Sequence, residues 1–177
     1  MIRHQSLSRR AVDCAVPAYL RLVQGLEALI PLFDLSVRLY LANIFWKGGM
    51  VKLSSWMSTV MLFTMVYDVP VLPPEMAAYL STAVELGGSF LLAIGLAGRW
   101  AALSLFGLNI IAAISYGQLS EAALQEAFYW GILFLYFVLH GPGRLSVDGL
   151  LEYLYRRRLL LGYPEVAASK PPVLHNA

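Results

Sequence analysis

Apolar positions along this chain come in long uninterrupted runs rather than in the alternating stripes of a soluble domain. From Trp100 to Ser120, 21 residues pass without Asp, Glu, Lys or Arg; from Ala127 to Gly143 another 17 do so; and from Met76 to Gly98 the single charge is Glu85. A helix rises about 1.5 Å per residue, so each run can cross a hydrocarbon core about 30 Å thick. Leu35 to Leu53 is a fourth run and carries Arg38, Lys47 and Lys52. Its other residues are mostly large and apolar, and two of the three cations stand close enough to an end to snorkel, so it also reads as a span.

The flanks carry a different pattern. Residues 1–15 are polar and basic, with Arg3, Arg9 and Arg10. Ala18 to Ile30 then reads as an amphipathic helix, with Leu20, Val23, Leu26 and Ile30 in one stripe and Pro17 and Pro31 bracketing it. It is too short to span and fits the membrane surface, although a cytosolic arm without order is the plainer alternative. A cleaved signal peptide fits less well, since Asp13, Cys14 and Pro17 interrupt the only possible apolar core. Between spans one and two, Trp56 to Val66 predicts a short helix lying on or dipping into the outer interface, and Pro73-Pro74 opens span two. Gly98-Arg99 is a tight turn, and Gly117 to Glu121 joins spans three and four. Beyond His140, GPGR ends the last span and Ser146 can cap a helix whose apolar stripe is Val147, Leu150, Leu151, Leu154 and Tyr155. Arg156 to Arg158 follow, a pattern suited to anionic headgroups. The expected fold is an all-α integral membrane four-helix bundle with flanking amphipathic interfacial helices. Its divisions are a basic arm over 1–34, a membrane domain over 35–140, and an interfacial helix and tail over 141–177.

Composition and charge sharpen this picture. Of 177 residues, 59% are hydrophobic before the 14 glycines are added and 14% are charged. A soluble domain has about 25% charge, and a disordered chain has low hydrophobicity, so both classes are excluded. Arg and Lys gather before span one, at Arg99, and after span four, whereas the other two connections hold Asp68, Glu75, Glu121 and Glu126 with only Lys52 at an edge. By the positive-inside rule both termini are expected in the cytoplasm, in a multi-pass protein of the inner (plasma) membrane. The net charge of +2 follows from that topology and gives no support for nucleic-acid binding.

Few residues carry chemistry. Glu85 lies ten residues into span two, near the midplane, where an ionisable group costs roughly 2.5–3.5 kcal/mol or more unless it faces the bundle. Ala77, Ser81, Glu85 and Gly88 share one helical face of small residues suited to close packing. Glu85 is either a functional group or a polar staple between spans, and the sequence favours neither. Arg38 and Lys52 share a face of span one with Ala42 and Gly49, Lys47 points about 140° away from Lys52, and Asp34 is placed for an i,i+4 pair with Arg38. Arg99 reads as a topology determinant. His140 reads as a cap on the last carbonyls of its helix, with proton relay or quinone-headgroup donor as the functional alternative. The single Cys14 and the three His, two of them the terminal His4 and His175, cannot form a bis-His haem pair across spans, an iron–sulfur set or a zinc site. No metal site and no resident cofactor is therefore expected.

The local motifs resemble the DoxX family of small four-helix bacterial membrane proteins. Arg38-Leu39, Gly48-Gly49 and Lys52-Leu53 are similar to that family's opening helix. VELGGSFLLAIGLAGRWAAL, from Val84 to Leu103, resembles its most specific stretch, and HGPGRLSVD, from His140 to Asp148, its exit motif. The match covers about residues 36 to 150; Lys47 and the arm before Asp34 have no counterpart in it. Since Lys52 occupies a family position, it is the preferred partner of Glu85, with Lys47 snorkelling outward. Either cation in reach of Glu85 would keep both groups charged. The resemblance implies a redox-linked membrane component, because the family takes its name from thiosulfate:quinone oxidoreductase subunits. A diffusible quinone or a partner's cofactor would then carry the electrons, with Glu85 and Lys52 as the catalytic candidates and Arg99 and His140 as those for quinone binding. A non-catalytic scaffold that recruits protein partners or a second copy is the alternative. A small-molecule or ion carrier is the third reading.

Overall fold

The structure, a computed structural model, describes the backbone of residues 3–67, 69, 72–116 and 119–162 and, among these, the side chains of 16–158. The basic side chains of Arg3, Arg9 and Arg10, together with His4, Cys14, Asp68 and the tail from 163 to 177, fall outside the described residues. Among the described residues there are six helices: α1 Arg3–Ser54, α2 Trp56–Met65, α3 Pro74–Ile94, α4 Gly98–Ser115, α5 Glu121–His140 and α6 Val147–Gly162. Four of them, in α1 the stretch Val16–Ser54, are long and apolar enough to cross a membrane. The protein is an all-α membrane helical protein.

α3 packs between α1 and α4, and α5 lies on the other side of α4. α1 meets α5 through Phe45, whose ring lies edge-on to Phe134 at 5.0 Å and to Trp130 at 5.8 Å. The central core is Leu41, Phe45, Leu92, Ala101, Ala102, Leu105, Phe134 and Phe137. Outward-facing positions such as Trp100, Ile114, Phe128 and Leu139 stay exposed, as an apolar solvent requires. Gly88 lets α3 approach α4 until a Cβ there would stand 3.0 Å from Leu105.

α1 departs from the expected layout. Pro17 and Pro31 do not bracket a separate helix; both lie inside one continuous α1. Proline removes one amide donor and crowds the preceding turn, yet apolar residues flank each site and no glycine or asparagine stands within four residues of either to turn the chain. The real break comes at Ser55, whose backbone (φ −142°, ψ 76°) leaves the helix. Thr59 of α2 repairs it by donating from Oγ1 to Lys52 O at 3.0 Å and from its backbone N–H to Ser55 O at 3.0 Å. α2 packs on α3 through Phe63, Ala77 and Ala78. Backbone pairing of Tyr67 with Tyr116 ties the two connections at this far end.

At the opposite end, where α1 enters the bundle, the turns are tight. α3 stops at Gly95 in the left-handed region (φ 71°), and Ala97 repeats that conformation (φ 47°) before α4 begins. α5 ends at Gly141, and Ser146 Oγ accepts from Gly149 N at 3.0 Å to start α6. α6 keeps Leu150, Leu151, Leu154 and Tyr155 exposed, so its apolar stripe does not pack on the bundle.

Candidate functional site

Two polar centres emerge, one inside the bundle and one at its termini-side end. The inner one is built on the small-residue face of α3, where Ala77, Ala78, Ser81, Thr82, Glu85, Gly88, Ser89 and Leu92 are buried. Glu85 is the twelfth of 21 residues of α3, about 16 Å from its start, and so lies at mid-height. Gly48 and Gly49 bring α1 against it: a Cβ at Gly49 would stand 2.7 Å from Leu86 Cγ, and one at Gly48 would stand 3.5 Å from Glu85 Oε2. Lys52 Nζ donates to Glu85 Oε1 at 2.5 Å, with side-chain exposures of 18% and 12%. That is a charge-assisted hydrogen bond largely withdrawn from the surroundings. Phe63 of α2 places its ring 5.8 Å from the ammonium and closes the site from the far end. Glu85 Oε2 is buried without a partner, so the carboxylate keeps capacity for one more donor or a proton.

It is thus Lys52, and not Lys47, that reaches Glu85; Lys47 is exposed and makes no ion pair among the described residues. Arg38 and Lys52, the cations nearest the ends of span one, do not snorkel outward. Both turn into the bundle, Arg38 to 1% exposure, because the acceptor oxygens inside it satisfy them without the reach to an interface. Tyr67 covers the far end of this centre, stacked on Phe63 at 4.9 Å. Burial, with smaller contributions from Glu85 and Tyr116, pushes the Tyr67 phenol up.

The second centre gathers what the termini-side turns present. Arg38 Nη1 donates to Pro142 O at 2.5 Å and Nη2 to Leu145 O at 2.7 Å. The expected Asp34–Arg38 pair does not form. Asp34 Oδ1 instead accepts from Tyr136 Oη at 2.8 Å, and the two carbonyls of the α5–α6 turn fit the guanidinium fork better than a carboxylate one turn back. Asp148 caps α4, accepting from Ala97 N at 2.9 Å and Gly98 N at 2.8 Å, and its own N–H donates to Gly95 O at 3.0 Å. A carboxylate at a helix N-terminus satisfies orphan amides and complements the helix dipole.

His140 does not cap its helix with its side chain. Its ring stacks on Tyr136 at 5.0 Å and 12°, and its carbonyl oxygen accepts a long contact, 3.5 Å, from Arg99 Nη2. Beside them opens a cleft of about 1580 Å³ between the α1 segment before the bundle, the α3–α4 and α5–α6 turns and α6. Arg99, His140 and Arg144 line it together with Ile30, Pro31 and Trp100. Glu85 and Lys52 are not part of it: Glu85 is ten residues, about 15 Å, from Gly95 along α3. The four site residues expected from sequence therefore fall into two separate pairs.

Tyr136 and Asp148 are the residues that sequence reasoning overlooks. Asp148 carries a faint signal, as an acid inside the exit motif close after Ser146, but its target lies 50 residues earlier. Nothing in the local pattern marks Tyr136. Among the described residues, no three His, Cys, Asp or Glu side chains are grouped to hold a metal ion.

Comparison with known proteins adds one finding. Residues 33–118 match the family model for DoxX, a stretch that runs from the start of span one past the end of α4 and contains Arg38, Lys52, Glu85 and Arg99. No curated protein and no solved structure matches the chain. The matched stretch takes in the bundle part of α1 with α2, α3 and α4, and so both members of the buried pair, while the carbonyls that Arg38 holds lie beyond it; the chain is a multi-pass membrane protein whose residues 33–118 match the DoxX family model.

Proposed function

We propose that this protein is a subunit of a redox- or stress-related assembly in the bacterial inner membrane, with both termini cytoplasmic, and that its termini-side cleft receives the head of a quinone. The observation that carries this reading is the cleft itself, where an imidazole and three guanidinium groups, with the carboxyl groups of Glu27, Asp34, Asp148 and Glu152 among them, stand beside Ile30, Pro31 and Trp100. A quinone is an apolar tail with two carbonyl acceptors, and it needs this mixture at a bundle end that a membrane-dissolved molecule can reach. His140 is placed to donate to a carbonyl oxygen, and Tyr136 fixes its ring by stacking. Arg99, alongside, stabilises negative charge on that oxygen. Reduction to the quinol takes two electrons and two protons; here the electrons come from a redox group of a partner subunit, and both protons come from the water at the open mouth of the cleft, one of them passed through His140.

The direct test is titration of purified protein in lipid nanodiscs with a short-chain ubiquinone, followed by quenching of tryptophan fluorescence. Saturable quenching is expected, weakened about tenfold in His140→Leu and Arg99→Gln and unchanged in Gly107→Ala, where an added Cβ meets nothing. Quenching that never saturates, or that is the same in all variants, overturns the proposal. The second reading, a scaffold without a ligand, is favoured by the structural engagement of Arg38, Asp34, Asp148, Lys52 and Glu85. It predicts that Glu85→Gln lowers the amount of folded protein, whereas a proton role for Glu85 predicts lost activity at normal abundance.

A further inference from the structure

The lipid-facing surface of α1 carries a polar residue that the reading above does not use. Asn43 is nine residues from Asp34 and nine from Lys52, about 13 Å from each, and so stands midway along span one. It is exposed, between Leu39 at 46% and Trp46 at 42% exposure, and its side chain makes no hydrogen bond among the described residues. In hydrocarbon there is no water to satisfy a carboxamide. Lys47, one turn farther along and exposed too, has a long stem and only four residues between it and Lys52, so its ammonium can snorkel toward the far interface. Asn43 has a single methylene and cannot. It needs a partner at its own depth.

The surface around it is shaped for one. Between α1 and α3 a shallow groove of about 260 Å³ has Ala42, Ser89 and Ala93 on its floor, with Trp46 and Phe90 beside it. Small residues let another helix approach closely, and a polar side chain at the same level joins the two helices by hydrogen bonding. We propose that this groove is the interface between two copies of the chain, with Asn43 of each copy bonded to Asn43 of the other across a two-fold axis along the bilayer normal. A carboxamide is self-complementary: its NH₂ donates and its oxygen accepts, so one residue type satisfies both sides. Two copies in the same orientation place the two groups at equal depth, and a two-fold contact is the commonest symmetric one. The Lys47 ammonium groups leave this contact by rising toward the interface. The cleft at the termini-side end lies outside it, so the interface stands or falls independently of the quinone reading.

Cysteine cross-linking of the full-length protein in liposomes, on a Cys14→Ser background, tests the placement. Leu39→Cys, which keeps Asn43, is expected to give cross-linked dimers with a short bis-maleimide, while Ile132→Cys on the lipid-facing side of α5 gives none. Energy transfer between labelled copies diluted into lipid tests the chemistry. Asn43→Leu should weaken association at least tenfold and Asn43→Gln should largely retain it. Because Asn43 makes no side-chain hydrogen bond among the described residues, both variants are expected to fold, which an unchanged helical circular dichroism signal verifies. Equal cross-linking at Ile132 and Leu39, a monomer at every lipid dilution, or association that Asn43→Leu leaves unchanged would overturn the proposal, as would cross-links that form only to a different membrane protein.

Discussion

Removing one member of the Lys52–Glu85 pair should damage the protein far more than removing both. In Lys52→Met, Glu85 Oε1 loses the one partner it has among the described residues and Oε2 has none there, so a carboxylate is left buried at mid-height of the bundle. Stranding a buried charge in this way typically costs about 3–5 kcal/mol. Glu85→Leu strands the ammonium instead, but Lys52 stands two residues from the end of α1, has a flexible stem, and keeps the Phe63 ring at 5.8 Å. Its loss should be smaller, about 1–3 kcal/mol. The double variant Lys52→Met/Glu85→Leu replaces the pair with apolar groups of similar bulk and leaves nothing unsatisfied. It should fall within about 1 kcal/mol of the parent, or be more stable. Reversible unfolding by sodium dodecyl sulfate in bicelles, read by tryptophan fluorescence, measures all four proteins on one scale. A double variant as unstable as the sum of the single ones, or a Lys52→Met variant within about 0.5 kcal/mol of the parent, would refute the view of the pair as a mutually dependent unit.

Two further outcomes follow from the bundle ends. Gly95→Ala puts a Cβ 2.5 Å from Ser146 Cβ and 2.7 Å from Arg38 Nη1 in a left-handed backbone, and should destabilise by roughly 2–5 kcal/mol, while Gly107→Ala, with nothing within 4 Å, should be neutral or stabilising in the same unfolding assay. The Tyr67 phenol, pushed up by burial, favours the folded state in its neutral form. Its contribution is complete below its unfolded value of about 10 and is lost as pH rises through the higher folded value. The tyrosinate absorbance difference between the parent and Tyr67→Phe should therefore develop later than that of an exposed tyrosine, and an early difference would contradict the burial argument.

Much of this arrangement is legible in the chain because a bilayer makes strict demands. Four apolar runs give four spans, and a carboxyl flanked at helical spacing by Ala, Ser and Gly must face inward, as Glu85 does. The short Trp56 helix and the Pro73-Pro74 start are legible for the same local reasons. What stays hidden is choice among partners. Asp34 and Arg38 are a perfect i,i+4 match in sequence, yet each finds a better geometry about a hundred residues away, at Tyr136 and at the carbonyls of 142 and 145. Periodicity reports which face is buried and says nothing of what arrives there. Pro31 misleads for a related reason: its local disruption is real, but no competing turn is available to make it the end of a helix.

The grip of Arg38 on the α5–α6 turn has a consequence for how this protein tolerates change. Its guanidinium holds carbonyl oxygens, not side chains, and a carbonyl is the same atom whatever residue bears it. Leu145, 48% exposed, can therefore be exchanged for many residue types without loosening the clasp. Inserting or deleting a single residue between Pro142 and Leu145 moves one of the two oxygens out of the fork and leaves a buried cation half satisfied. The turn is permissive in spelling and strict in length.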